Sequence, residues 1–288
     1  MSANPYFVTG PSLISFSGGR SSAYMLYQIL VAHDGRLPAD VVVAFANTGK
    51  EREETLRFVH ECATRWNVHV HWLEWRDAEA GFEEVGFNSA SRQGEPFAGL
   101  IAKKQYLPNA VARFCTSELK VRVVKAFCLS LGWTHWVNVI GLRYDEGMRV
   151  LRQIEANEAG KERWTTSMPM ATAKATKRDH VMPFWSAQPF DLGLQDYEGN
   201  CDMCFLKSRG ALKRLIRDNP SMPNWWKGQE ASVTGNGTAS VSGARFITEY
   251  SYADLEREVR TQPYMPGLLI DDEEYDAECG LTCAGEAA

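Results

Sequence analysis

Nowhere in this 288-residue chain does an apolar run reach the roughly 18 residues a membrane-spanning helix needs, so a helical membrane protein is excluded. The opening residues, MSANPYFVTG, lack the basic start and apolar stretch of a secretory signal, and a cytoplasmic location is expected. No internal repeat is present, which excludes solenoids and propellers. Lys and Arg are absent after Arg260, whereas Asp271, Asp272, Glu273, Glu274, Asp276, Glu278 and Glu286 follow it. The net charge of −5 is therefore a body of +2 joined to a tail of −7. Such a body can hold a local phosphate pocket but shows no broad nucleic-acid footprint. The seven cysteines are odd in number, and with no export signal they point to metal or redox chemistry rather than a disulfide framework.

What is present reads as a soluble α/β chain. Residues 13–16 form a short apolar run before a Gly-Gly turn, and residues 20–32 place Ala23, Leu26, Tyr27 and Leu30 at helical spacing. In residues 40–46, Asp40 is followed by six apolar residues without a break, as in a strand buried on both faces. Helices are expected over 51–66, 116–131 and 145–157, and strands over 68–75 and 136–141. Residues 76–95 read as a loop or lid, 183–194 as irregular structure running into a short helix, and 203–217 as a basic helix. The order predicts a doubly wound parallel sheet with right-handed crossovers. The expected division is a nucleotide-binding domain over 1–215 and a C-terminal segment over 216–288. The latter has a polar, mobile loop at 231–243, a short helix over 252–259 and the acidic, cysteine-bearing tail.

Between the first strand and helix stand Ser15, Phe16, Ser17, Gly18, Gly19, Arg20, Ser21 and Ser22. Glycines let a backbone approach a ligand, and amides at a helix N-terminus form an anion site that serine hydroxyls extend. The plainer reading is a tight turn with Ser22 capping the helix. Lys120, Arg143 and Arg149 fall at ends of predicted elements, where open α/β sheets bind ligands. Cys201 and Cys204 form a C-x-x-C able to place two thiolates on one centre. Cys62 and Cys128 lie within expected amphipathic helices as buried thiols. Trp225 and Trp226 are expected to anchor the C-terminal segment, with base stacking as the alternative. His69 and His71 share one strand face, but no third ligand stands near them in sequence, which favours a structural role.

The segment SGGRSS resembles the SGGxDS loop of the PP-loop superfamily, which includes the adenine nucleotide alpha hydrolase-like proteins and the phosphoadenosine-phosphosulfate (PAPS) reductase family. Asn47, Thr48 and Gly49, followed by Glu54, Thr55 and Phe58, are similar to the family's DTG segment. Arg113, Phe114, Cys115 and Thr116 with Leu119 and Lys120 resemble its R.CT..LK segment. Gly141, Leu142 and Arg143, then Glu146 and Arg149, resemble its G.R..ES..R segment. The resemblance implies a PP-loop fold with phosphate held by Ser15, Ser17, Gly18, Gly19, Arg20, Ser21 and Ser22. It puts adenine near Asn47, Thr48 and Gly49, and further anion contacts at Lys120, Gly141, Arg143 and Arg149.

The resemblance further implies a [4Fe–4S] cluster on Cys115, Cys201, Cys204 and a tail cysteine, Cys283 before Cys279, with zinc as the alternative. Phe114 stands where adenylylsulfate (APS) reductases carry a second adjacent cysteine, so a fourth ligand must come from elsewhere. Glu278, Cys279, Gly280 and Leu281 resemble the ECGLH signature that carries the catalytic thiol of these reductases, although Thr282 replaces its His. The implied function is sulfonucleotide reduction, with PAPS or APS as substrate, Cys279 as nucleophile and a thioredoxin-like thiol donor. Ser21 replaces the acid that helps PP-loop pyrophosphatases manage Mg²⁺, which argues against ATP cleavage. The alternatives are an ATP-using, cluster-dependent sulfurtransferase that thiolates a nucleic acid, and a nucleotide-binding module without turnover. A homo-oligomer without membrane attachment is expected.

Overall fold

The computed structural model describes residues 4–199, 201–233 and 243–262. Cys279, Cys283 and the acidic tail lie outside the described residues, as does most of the expected loop at 231–243.

Six strands form one sheet in the order β4-β3-β2-β1-β5-β6. They are β1 (Ser12–Ser15), β2 (Val41–Asn47), β3 (Val70–Trp75), β4 (Phe82–Val85), β5 (Trp136–Ile140) and β6 (Trp164–Ser167). All pair in parallel except β4, which runs antiparallel to β3 at one edge. The fold is thus the expected α/β class with a doubly wound, mainly parallel sheet. The expected lid over 76–95 contains instead this short edge strand and the start of a helix.

Side chains alternate across each strand, and in the four central strands β3, β2, β1 and β5 both faces are largely buried. On one face Ile14, Val43, Phe45, Trp72 and Val139 meet helices α1 (Arg20–Ala32), α2 (Glu53–Arg65) and α7 (Arg178–Ser186). On the other, Leu13, Ala44, Leu73 and Trp136 meet α3 (Glu95–Lys104), α5 (Val123–Ser130), α8 (Arg209–Asp218), α9 (Pro223–Ser232) and α10 (Tyr252–Thr261). Two-sided burial is why β2 reads as an almost unbroken apolar run. Trp226, Phe246 and Tyr252 belong to the second core, so the described C-terminal helices share it with the sheet. The remaining helices are α4 (Phe114–Thr116) and α6 (Gly147–Ala159). A π-helical turn over Ser117–Arg122 links α4 to α5 without a break. None of the described helices is long and apolar enough to cross a membrane.

Candidate active site at the carboxyl edge of the sheet

The chain runs from β1 outward through β2 to β3, then returns to place β5 on the other side of β1. Ligand crevices of doubly wound sheets lie at such a reversal, beyond the strand carboxyl ends. The glycine turn, Asn47 to Gly49, Lys120, Arg143, Cys115, Cys201 and Cys204 gather there, whereas Cys279 and Cys283 lie outside the described residues.

Gly18 adopts φ +79°, and a Cβ there would meet Thr55 Cγ2 at 2.6 Å. Both backbone sign and space demand glycine, and the loop is thereby pressed against α2 and Phe45. Gly19 caps α1 with no side-chain hydrogen bond, leaving the first-turn amides as donors for an anion. Ser22 Oγ accepts the Ser17 amide at 3.2 Å, contacts Ser17 Oγ at 2.9 Å and donates to Gly19 O at 3.0 Å. It closes the loop, while Ser17 itself is exposed. Ser15 is buried and donates to Asn138 Oδ1 at 2.6 Å, tying β1 to β5. Arg20 points outward from the turn, with Nε on Asp191 Oδ1 at 2.7 Å and Nη1 on Leu194 O at 3.0 Å.

The end of β5 abuts the same helix start. A Cβ on Gly141 would meet Ser22 Cα at 2.8 Å. Two residues on, the buried Arg143 donates Nη1 to Ser21 Oγ at 2.7 Å and Nε to Asp145 Oδ1 at 3.0 Å. Glu146 accepts the Arg143 amide at 2.8 Å and pairs with Arg149. Burial pushes the Asp145 carboxyl upward, but the Arg178 amide and the Arg143 guanidinium outweigh it and hold the group below its ordinary value.

At the end of β2, Asn47 is fully buried and donates Nδ2 to Glu74 Oε1 at 2.6 Å and to Ser91 O at 2.9 Å. Its Oδ1 accepts the Gly49 amide at 3.1 Å, so this side chain shapes the loop from within. Thr48 donates its hydroxyl to Glu51 and lies 3.6 Å from Cys201 Sγ. Lys120 Nζ stands 3.9 Å from Glu51 Oε1.

The C-x-x-C segment is fastened to that loop. Cys201 forms an antiparallel bridge with Glu51, and the Asp202 amide donates to Lys50 O at 2.8 Å. Asp202 Oδ2 pairs with the buried Lys50 Nζ at 2.8 Å, and its Oδ1 accepts Trp226 Nε1 at 2.8 Å. Cys115, at the start of the helix carrying the π turn, joins Cys201, Cys204, Thr48, Arg113 and Lys120 around one cleft. π turns inside helices recur at functional sites. Phe97, Leu119, Phe205 and Trp226 supply the apolar wall.

Two residues beside the cysteines, Lys50 and Asp202, carry roles the sequence did not assign, and a third, Lys207, stands elsewhere than expected. Lys50 and Asp202 form the buried pair just described; their only sequence signal is that Asp202 lies inside the C-x-x-C. Lys207, expected on a basic helix, precedes that helix and is buried, donating Nζ to Tyr197 O at 2.8 Å and to Gly199 O. Burial lowers its pKa, while the nearby Cys204 and Cys201 thiols oppose the shift. Cys62 and Cys128 are remote from the cleft and buried; burial raises both thiols, that of Cys128 to about 12. They are inert packing.

The site is therefore that of an α/β protein with a glycine turn, buried arginine and three cysteines collected at one sheet edge. No family model matches the chain. It is similar to the uncharacterized nin region protein ORF290 of Escherichia phage lambda, 27% identical over 220 residues, which are 73% of this chain and 71% of that one. Among solved structures it is similar to the U34-tRNA thiolase NcsA from Methanococcus maripaludis with its [4Fe–4S] cluster, at a TM-score of 0.40 and 11% identity, covering 88% of this chain and 82% of that one.

Proposed function

We propose that the chain is a PP-loop-type enzyme that uses ATP to replace a carbonyl oxygen of a nucleic-acid base with sulfur. The observation that supports this reading is that Cys115, Cys201 and Cys204 line one cleft with Thr48 and Lys120. A sulfur-handling centre thus adjoins the strand ends where the nucleotide is proposed to bind.

In this reading the amides around Gly18 and Gly19, with Ser17 and Ser22, hold the phosphates. Thr48 and Gly49 border the adenine, and Lys120, Arg143 and Arg149 balance the anionic charge. The three thiols fit an iron–sulfur cluster, because thiolates are its ordinary ligands and the apolar wall restricts water. A bound cluster supplies sulfur and electron-transfer chemistry; zinc on the same thiolates is the alternative. The fourth ligand is proposed to be Cys283 or Cys279. The base oxygen attacks the α-phosphorus of ATP, and pyrophosphate leaves. A sulfide donor then attacks the activated carbon, and AMP leaves with the former carbonyl oxygen, so there is no net oxidation.

The second reading is sulfonucleotide reduction, and the Ser21 hydroxyl favours it. Ser21 offers Arg143 no negative charge and offers Mg²⁺ no carboxylate. There the Cys279 thiolate attacks the sulfur of PAPS or APS and expels the nucleotide, and a dithiol donor reduces the S-sulfocysteine to release sulfite.

Anaerobically purified full chain is incubated with ATP, sulfide and bulk RNA or DNA. Equal amounts of AMP, pyrophosphate and thionucleoside are expected. Sulfite from PAPS or APS with a dithiol, and no thionucleoside, establishes the second reading instead. Nucleotide binding without either product leaves the binding-module reading.

A further inference from the structure

We propose that His69, His71 and Glu84 form a binding site for a divalent cation of the zinc class on the β3–β4 edge of the sheet, away from the cysteine cleft.

The placement follows from strand geometry. His71 lies on β3 and His69 immediately before it, so their side chains share one face. Glu84 on β4 pairs opposite Leu73, and opposite partners in an antiparallel pair share a face. All three thus project from the same side of the hairpin. The sequence offers only the two histidines on one strand face, because the third ligand arrives from a strand that reads as loop.

The contacts converge. His71 Nδ1 lies 2.7 Å from Glu84 Oε1, and His69 Nε2 lies 3.7 Å from the same oxygen. The rings stand at 89° with centroids 4.3 Å apart, so they do not stack and both edges reach the carboxylate. The three ligand atoms lie within 4.8 Å of one another. A tetrahedral ion with bonds of about 2.0 Å requires neighbouring ligands about 3.3 Å apart, so small rotations close the set. The side chains differ in their freedom to make them. His71 is mostly buried and rests on Phe127 at 4.7 Å, whereas the side chain of His69 is 73% exposed. One ligand is anchored and another can swing.

The donor set selects the ion. Two imidazole nitrogens with one carboxylate suit Zn²⁺, Ni²⁺ or Co²⁺ and not Ca²⁺ or Mg²⁺, which take all-oxygen shells. Three protein ligands on an exposed face leave positions for water, so the site is open. The ion would link β3 to β4, fastening a four-residue edge strand that otherwise has a single neighbour in the sheet.

The test uses Zn²⁺ alone on the full chain, with wild type, Glu84→Gln and His69→Asn compared. In wild type, zinc should shift the ring-nitrogen resonances of both imidazoles together in long-range ¹H–¹⁵N spectra. Removing a ligand should weaken this uptake by about tenfold or more, a change that even an outer partner of a metal ligand can bring. Glu84 is exposed, so its amide variant keeps the fold. Imidazole signals that stay put while zinc is taken up would put the ion on the cysteines and overturn the proposal. Equal affinity in wild type and Glu84→Gln would do the same.

Discussion

Arg143 reaches across the reversal of the sheet to donate its Nη1 to Ser21 Oγ at 2.7 Å, joining the end of β5 to the first turn of α1. The guanidinium is buried, and Asp145 and Glu146 balance its charge. Arg143→Met would leave these acids beside an apolar chain. Breaking a buried pair at one partner costs about 3–5 kcal/mol, and Asp145 is partly exposed, so the lower end is expected. Urea unfolding measures it. Ser21→Asp, by contrast, adds a partner for Arg143 and should keep wild-type stability; a loss of more than about 2 kcal/mol contradicts the pairing.

Gly18→Ala tests the glycine turn and its proposed phosphate role. The new methyl would meet Thr55 Cγ2 at 2.6 Å in a backbone with φ +79°. The left-handed backbone alone costs about 1–2 kcal/mol in a residue with a Cβ. Thr55→Ser in the same chain relieves the clash but not the backbone term, so the double variant should recover only part of the stability. ATP affinity by calorimetry should fall in both.

Asp202→Ala removes the carboxylate that pairs with the buried Lys50 ammonium at 2.8 Å. A loss of about 3–5 kcal/mol is expected, again because a charge is stranded. Replacing both residues by apolar ones, Lys50→Met with Asp202→Leu, should be less harmful than Asp202→Ala alone. Iron retained after anaerobic reconstitution is the second readout, and it should drop in Asp202→Ala.

Glu230 predicts a pH dependence. Burial raises its carboxyl from 4.5 to about 7, against the Tyr252 and Phe246 amides, which lower it. The folded state binds this proton more tightly than the unfolded one. The group's contribution is therefore full below about pH 4.5 and disappears as pH rises through about 7. Its size is of order 1–3 kcal/mol, since the group is only half-buried and partly screened. Glu230→Gln keeps an acceptor for the Tyr252 amide and should flatten the stability profile between pH 5 and 7. An unchanged slope contradicts it.

The sheet was legible in the sequence because its strands bury both faces; the run through Val43, Ala44 and Phe45 can be little else. The glycine turn was legible for a related reason, since Gly18 has neither the backbone sign nor the space for another residue. Other features depend on partners far along the chain. β4, with Glu83 and Glu84 in four residues, looks like loop until β3 supplies its hydrogen bonds. The expected helix from 203 begins only at Arg209, because Asp202 is held by Lys50 and Tyr252 Oη donates to Met203 O. Pro183, read as a sign of irregular structure, sits inside α7, whose Trp185 is held by the first aromatic core and by Arg20 O.

Cys201 meets Thr48 across 153 positions of chain. Until that long loop closes, the Lys50 ammonium lacks Asp202, and the strand-end turn lacks its outer hydrogen bonds. Distant pairings of this kind must be reached before they stabilise anything, and they slow folding. The turn beside the cysteine cleft is thus completed by chain synthesised much later, and it matures only when the thiol-bearing stretch arrives.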